Sequence, residues 1–226
     1  NIHIVENGFD EDAFAHAQAR IATRREVQAV PGRRLTLLHS GFLKTLPHSE
    51  LRSGFAEIIK HALISDKALW EEISTKKFVE QNWDALIRHS VEFKAKVTTE
   101  DPTEKGLRKI LNSGHTIGHA LETYLLNSGS PIMHGEAVAA GLIAEGFIAK
   151  QRGLLSDIDF QKLSTFVLAV YGKVRFQIED LDPIGEIVLQ DKKNKENRIL
   201  CVLLNGIGNA RWDYEISLEE VKNALT

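Results

Sequence analysis

The sequence predicts a mainly α fold: a multi-helix domain that ends in one small C-terminal β-hairpin. Three observations lead there. Apolar residues recur at helical intervals through the centre of the chain, as at Leu51, Phe55, Ile58, Ile59 and Leu63. Strand signals are few, the clearest being Arg198 to Leu204 and Ala210 to Ile216 on either side of Asn205-Gly206. Helix punctuation is frequent, with Asp182-Pro183 as a start, Gly172 as a stop and Ser217-Leu218-Glu219-Glu220 as a capping box.

Taken in order, Ile2-His3-Ile4-Val5 is a short β-prone start, followed by a helix from Asp12 to Val27 that ends before Pro31-Gly32. Leu35 to Leu38 reads as one buried strand. Pro47 precedes the helix that carries the Leu51 to Leu63 stripe, and Glu57, Lys60 and His61 share a different face of it. Such a trio also describes a solvated charged face. Further helices are expected over Lys67 to Ser74, Phe78 to Val97, Glu104 to Asn127, Gly135 to Arg152 and Ser156 to Val170, with a short one from Asp182 toward Gln190. The hairpin and a capped terminal helix complete the chain. Gly206-Ile207-Gly208 falls inside the hairpin signal rather than at a strand-to-helix turn, so it is a weak dinucleotide cue and is discounted.

Composition narrows the function. A chain of 226 residues that is 43% hydrophobic can bury a substantial core. A net charge of -3 supplies no basic field, which argues against nucleic acid as a partner. Cys201 is the single cysteine, so no internal disulfide forms, and its apolar setting reads as a buried strand in a reducing compartment; a cytoplasmic protein is expected. The most apolar stretch, Ala137 to Ala149, is broken by Glu145 and is too short to span a bilayer, so no membrane role is expected.

Chemistry concentrates on histidine. His115 and His119 are one helical turn apart, and Arg108, Asn112, His115 and His119 recur at i, i+4, i+7 and i+11, the spacing a helix normally gives to its buried stripe. Burying four polar groups side by side costs several kcal/mol unless each finds a partner, so the stripe should face a ligand, a metal or a solvated cleft. An i, i+4 histidine pair alone also describes a hydrogen-bonded surface pair. His134 adds to the constellation, because it follows the turn-like Asn127 to Pro131 and precedes an apolar helix. At a helix N-terminus the dipole disfavours imidazolium and keeps the lone pair available for a cation.

The segments Gly54 to Lys60, Leu107-Arg108 through His115-Thr116-Ile117-Gly118-His119-Ala120, His134-Gly135-Glu136-Ala137 and Asp191-Lys192-Lys193 together resemble the C-terminal half of 3-dehydroquinate synthase, a sugar-phosphate cyclase. The resemblance runs from about Leu35 to the C-terminus and implies a catalytic Zn2+ or Co2+ held by Glu57, His115 and His134. Three protein ligands leave open positions, as a catalytic site requires. It further implies 3-deoxy-arabino-heptulosonate 7-phosphate as substrate, NAD as the transient oxidant, and a homodimer. Lys60, Lys94, Arg108 and Asn112 match substrate-contacting positions, where cations and an amide hold carboxylate, phosphate and hydroxyls. His119 matches an active-site histidine suited to proton traffic. Lys192 enters from the Asp-Lys-Lys motif and reads equally as a solvated turn lysine.

Two departures stand out. The family's nucleotide-binding half is largely absent, since only residues 1–34, of unclear role, precede the helical metal- and substrate-binding domain at 35–226. This chain by itself is therefore expected to keep the metal cradle and to turn over little. Ser113 stands where the family usually has an aromatic residue. Competing readings are another sugar-phosphate cyclase, a metal-dependent polyol dehydrogenase, which does not need the Lys60, Lys94 and Arg108 set, and a non-catalytic metal-binding remnant.

Overall fold

A computed structural model describes residues 40–190 and 198–226. The expected elements before Leu35, the strand at Leu35 to Leu38, and Lys192 lie outside the described residues. The chain divides into two units, Asn1–Pro47 and His48–Thr226. Of the first, a 3-10 turn at Ser40–Lys44 is described.

The second unit is helical, as the sequence predicts. Its α-helices are α1 (His48–Ser65), α2 (Lys67–Thr75), α3 (Trp83–Glu100), α4 (His115–Asn127), α5 (His134–Gln151), α6 (Asp157–Tyr171), α7 (Leu181–Gln190) and α8 (Leu218–Leu225). Strands β1 (Ile199–Leu204) and β2 (Ala210–Ile216) pair antiparallel between α7 and α8. Local chemistry sets many of the ends. Asp66 caps α2 through Leu69 N–H, Asn82 caps α3 through Ala85 N–H, Ser156 caps α6 through Asp159 N–H, and Ser217 and Glu220 form the expected capping box of α8.

Helix α5 is the hub. It packs against α1, α4, α6, α8 and β1, and it buries most of its residues, including Val138, Leu142 and Ile148. Between its ends only a half-buried strip at Glu136, Ala140, Ile143, Phe147 and Lys150 is left toward solvent, which explains the nearly unbroken apolar sequence. Phe55, Ile59 and Leu63 of α1, Ile117 and Leu121 of α4, and Leu163 of α6 complete the same core. No described helix is long and apolar enough to cross a membrane.

Four expectations are corrected. Helix Glu104 to Asn127 is instead a 3-10 turn, Leu107–Asn112, and then α4, separated at Ser113-Gly114. Gly114 has φ +76°, and a Cβ there would come within 2.8 Å of Leu142 Cγ and 2.9 Å of the Val138 carbonyl oxygen. Only glycine fits that left-handed backbone pressed against α5. The Asp101 carboxylate shapes the lead-in by accepting the amides of Gly106 at 2.7 Å and of Lys105 and Arg108 at 3.1 Å. Consequently Arg108 and Asn112 do not share one helical stripe with His115 and His119. Second, the helix expected from Phe78 begins only at Trp83, because Phe78–Glu80 forms a 3-10 turn ahead of the Asn82 cap. Third, Asp182 is not an N-cap, since α7 runs on from the 3-10 turn Ile178–Asp180, where Asp180 accepts from Gln177 N–H at 2.7 Å. Fourth, the hairpin turn extends over 205–209, because Gly206 N–H donates to Leu154 O and Gly208 N–H to Leu63 O, tying the loop to the helical body.

Candidate metal centre

Three helix segments converge on one place. Helix α1 brings Glu57 and Lys60, while His115 and His134 are the first residues of α4 and α5. The close approach of α4 to α5 depends on glycine: a Cβ on Gly141 would overlap the Gly114 carbonyl oxygen. A Gly135 N–H to Ser53 Oγ bond of 2.9 Å joins α5 to α1.

The His115 ring is held at Nδ1, 3.0 Å from the Ser113 carbonyl oxygen. A carbonyl only accepts, so Nδ1 carries the proton and Nε2 presents a lone pair. Burial, reinforced by the nearby Lys60 ammonium, pushes the His115 imidazole down to about 3 and keeps it neutral. Its Nε2 lies 3.5 Å from Glu57 Oε1, an oxygen that is buried and has no hydrogen-bond partner. The other Glu57 oxygen accepts from Lys60 Nζ at 2.7 Å. Burial raises the Glu57 carboxyl, but Lys60, aided by His115, outweighs it and leaves the group below its ordinary value. Two lone pairs therefore face each other with no proton between them. Such an arrangement suits a shared cation.

His134 is fixed in a parallel way. Its Nδ1 lies 3.1 Å from Glu122 Oε2, so the carboxylate accepts the Nδ1 proton and leaves Nε2 as donor atom. The rings of His115, His119 and His134 have centroids 5.0 to 5.7 Å apart. One nitrogen from each lies within 4.8 Å of the others. Among the described residues the group that converges this closely is the three imidazoles, and Glu57 approaches it through His115; imidazole nitrogens with a neighbouring carboxylate oxygen are donors that suit zinc or cobalt.

The expected substrate contacts are placed as follows. Lys60 is buried, and burial lowers its ammonium pKa against the opposing pull of Glu57. Lys94 is exposed on α3, and its charge acts on both Lys60 and His61. Arg108 donates to Pro102 O at 2.9 Å and lies 3.9 Å from Glu104. Asn112 donates to Glu104 Oε1 at 2.7 Å. The solvated-face alternative for Glu57, Lys60 and His61 does not hold, because Lys60 and His61 are each 2% exposed.

Sequence reasoning overlooked three carboxylates. Glu104 sits four residues before Arg108, a spacing that favours pairing. Glu122 follows His119 by three. Glu145 interrupts an apolar run, and a lone acid in such a run is itself a signal.

The family match and the curated relatives agree on one family. Residues 54–194 match the family described as 3-dehydroquinate synthase C-terminal. The 3-dehydroquinate synthase of Thermodesulfovibrio yellowstonii is 38% identical over 189 residues, covering 81% of this chain and 52% of the relative. That of Parabacteroides distasonis is 35% identical over 190 residues, covering 81% and 53%. The chain thus spans about half the length of the curated relatives it matches. Among solved structures, 2-epi-5-epi-valiolone synthase of Streptomyces hygroscopicus subsp. jinggangensis, bound to NAD+ and Zn2+, superposes with TM-score 0.73 at 25% identity, over 84% of this chain and 54% of its own. A 2-deoxy-scyllo-inosose synthase complexed with carbaglucose-6-phosphate, NAD+ and Co2+ shares the fold, with TM-score 0.65 and 23% identity over 85% and 55%. With most of the helical body inside the matched region, this chain belongs to the 3-dehydroquinate synthase C-terminal family.

Proposed function

We propose that this chain is the metal- and substrate-binding half of a 3-dehydroquinate synthase, acting in the shikimate pathway on 3-deoxy-arabino-heptulosonate 7-phosphate to give 3-dehydroquinate and phosphate. The observation that carries the reading is the unpartnered, buried Glu57 Oε1 facing the His115 Nε2 lone pair at 3.5 Å, beside the other two imidazoles. Glu57, His115 and His134 are read as the ligands of Zn2+ or Co2+. Such an ion, once bound, would lower the pKa of a ligated sugar hydroxyl, while NAD would accept the hydride.

The chain's own residues do the rest. Lys60, Lys94, Arg108 and Asn112 orient an anionic, hydroxyl-rich substrate, and its carboxylate displaces Glu104 from Asn112 and Arg108. His119, one ring away from His115, carries protons to and from substrate hydroxyls. Phosphate elimination makes the enzyme a carbon–oxygen lyase. A cytoplasmic homodimer completes the reading.

The identities of 38% and 35% to 3-dehydroquinate synthases, against 25% and 23% to the two cyclases of other sugars, favour the heptulosonate. The test is phosphate release with NAD and Zn2+, by this chain together with a nucleotide-binding half, from the heptulosonate phosphate and from hexose and heptose phosphates lacking a carboxylate. Turnover of the heptulosonate phosphate alone is expected. Preference for a sugar phosphate without the carboxylate would overturn the substrate assignment.

A further inference from the structure

Glu145 lies on α5, eleven residues beyond His134, and is 2% exposed. One of its oxygens accepts from Gly114 N–H at 2.6 Å; the other accepts from Thr116 N–H at 3.1 Å and Ile117 N–H at 3.4 Å. These are amides at the very start of α4. They would otherwise be orphaned in the interior, because the residue at the cap position, Gly114, has no side chain. A local Ser or Asp cap is excluded there by the left-handed backbone and by Leu142 and Val138. The cap is supplied instead by the neighbouring helix.

The placement has an electrostatic consequence. His115 and His134 each open a helix, so both helices turn their positive ends toward the point where the imidazoles meet. That field opposes a dication. At α5 Glu136 accepts from Met133 N–H at 3.0 Å through one oxygen, while its other oxygen is paired with Arg52, which balances its charge. At α4 the offsetting charge is Glu145. Its influence extends to α1, where it favours the protonated form of Lys60.

We propose that Glu145 is a positioning residue of the metal centre, a buried carboxylate that fixes the first turn of α4, orients His115 and cancels the helix-end field so that a divalent cation can bind. The inference rests on the reading of Glu57, His115 and His134 as ligands. It differs from a purely structural role because it ties Glu145 to cation affinity and ligand geometry in the folded protein.

The test is Co2+ titration of the full chain, followed by ligand-field absorption, with melting temperatures measured in parallel. The unaltered chain is expected to bind Co2+ with an absorption band of a low-coordinate nitrogen and oxygen site. Glu145→Gln keeps the volume and removes the charge; it is expected to bind at least tenfold more weakly, with a shifted band. If Glu145→Gln does not fold, Glu145→Asp replaces it, retaining the charge but not the reach; weakening of severalfold with a shifted band is expected. Affinity and band equal to the parent's in a folded variant would overturn the inference and leave the ligand assignment intact. Failure of the unaltered chain to bind Co2+ would overturn both.

Discussion

Substituting Gly118 by alanine sets two effects of known sign against each other. Gly118 lies inside α4 between His115 and His119 and faces α5. On helix propensity alone, alanine stabilises the helix by about 1 kcal/mol. Against this, the new Cβ would sit 2.8 Å from the Ala137 carbonyl oxygen and 3.1 Å from its carbonyl carbon. Both are backbone atoms of α5 and cannot rotate aside. Restoring ordinary contact requires α4 and α5 to part by roughly half an ångström, and overpacking of this kind costs about 1–3 kcal/mol. The packing cost at least offsets the propensity gain and exceeds it by up to about 2 kcal/mol. A melting temperature lower by up to roughly 8 °C follows for a domain of this size. The shift also separates His115 from His134 by more than the tolerance of about 0.2 Å in metal–ligand distances, so cation affinity should fall further than stability does. Thermal unfolding and competition with a chromophoric chelator measure the two quantities. A variant more stable by about 1 kcal/mol, with unchanged Zn2+ affinity, would refute the packing argument.

Further outcomes are expected. Glu122→Ala should weaken Zn2+ binding by about 10- to 100-fold through loss of the hold on His134 Nδ1, while thermal stability changes by less than about 1 kcal/mol because the pair is solvent-exposed; equal affinity would remove Glu122 from the centre. Acidification should destabilise the metal-free chain early. Burial, with Lys60 nearby, pushes the His61 imidazole down to about 3, so the unfolded chain takes up a proton below about pH 6.5 that the folded chain refuses. The stability is complete above pH 6.5 and is lost on the way down to about pH 3, by about 1.4 kcal/mol per pH unit for each such group. His115 adds a second. Urea melts at pH 7, 6 and 5 test this, and a flat stability across that range would contradict it. Glu220, held near 2 chiefly by Arg152, contributes stability that is complete above about pH 4.5 and is lost only as the pH falls from there toward 2, below the range of these melts.

Much of the fold could be read from local sequence because many helix ends are locally determined. Ser156, Gly172 and the Ser217–Glu220 box act within a few residues of themselves, and the structure uses each as the spacing suggests. The break at Gly114 could not be read this way. Its left-handed backbone follows from contact with Leu142 and Val138, which are distant in sequence, and its cap comes from Glu145, thirty-one residues away. A helical window containing glycine looks the same whether or not such a neighbour exists. The longer hairpin turn has the same kind of origin, in hydrogen bonds to Leu63 and Leu154.

Within the site, periodicity placed His115 beside His119, and the turn before His134 marked a helix start, so the meeting of the three imidazoles could be anticipated. The hold of Glu104 on Asn112 could not, because it requires the loop at Asp101 to Gly106 to fold back, with Glu104 itself at φ +56°. The strap between Lys109 and Asp213 was equally hidden. It depends on a bulge in β2 that puts Asp213 at φ +60° and brings its carboxylate 2.6 Å from Lys109 Nζ, beside Arg108.

The most direct measurement is X-ray absorption at the zinc edge of the zinc-loaded chain, paired with Glu57→Gln. One carboxylate oxygen and two imidazole nitrogens at about 2.0–2.2 Å, with the oxygen contribution altered in the variant, is the result expected if Glu57, His115 and His134 share the cation. Three imidazoles in the first sphere, unchanged when Glu57 is replaced, would mean that His119 takes the third place and that Glu57 serves Lys60 alone.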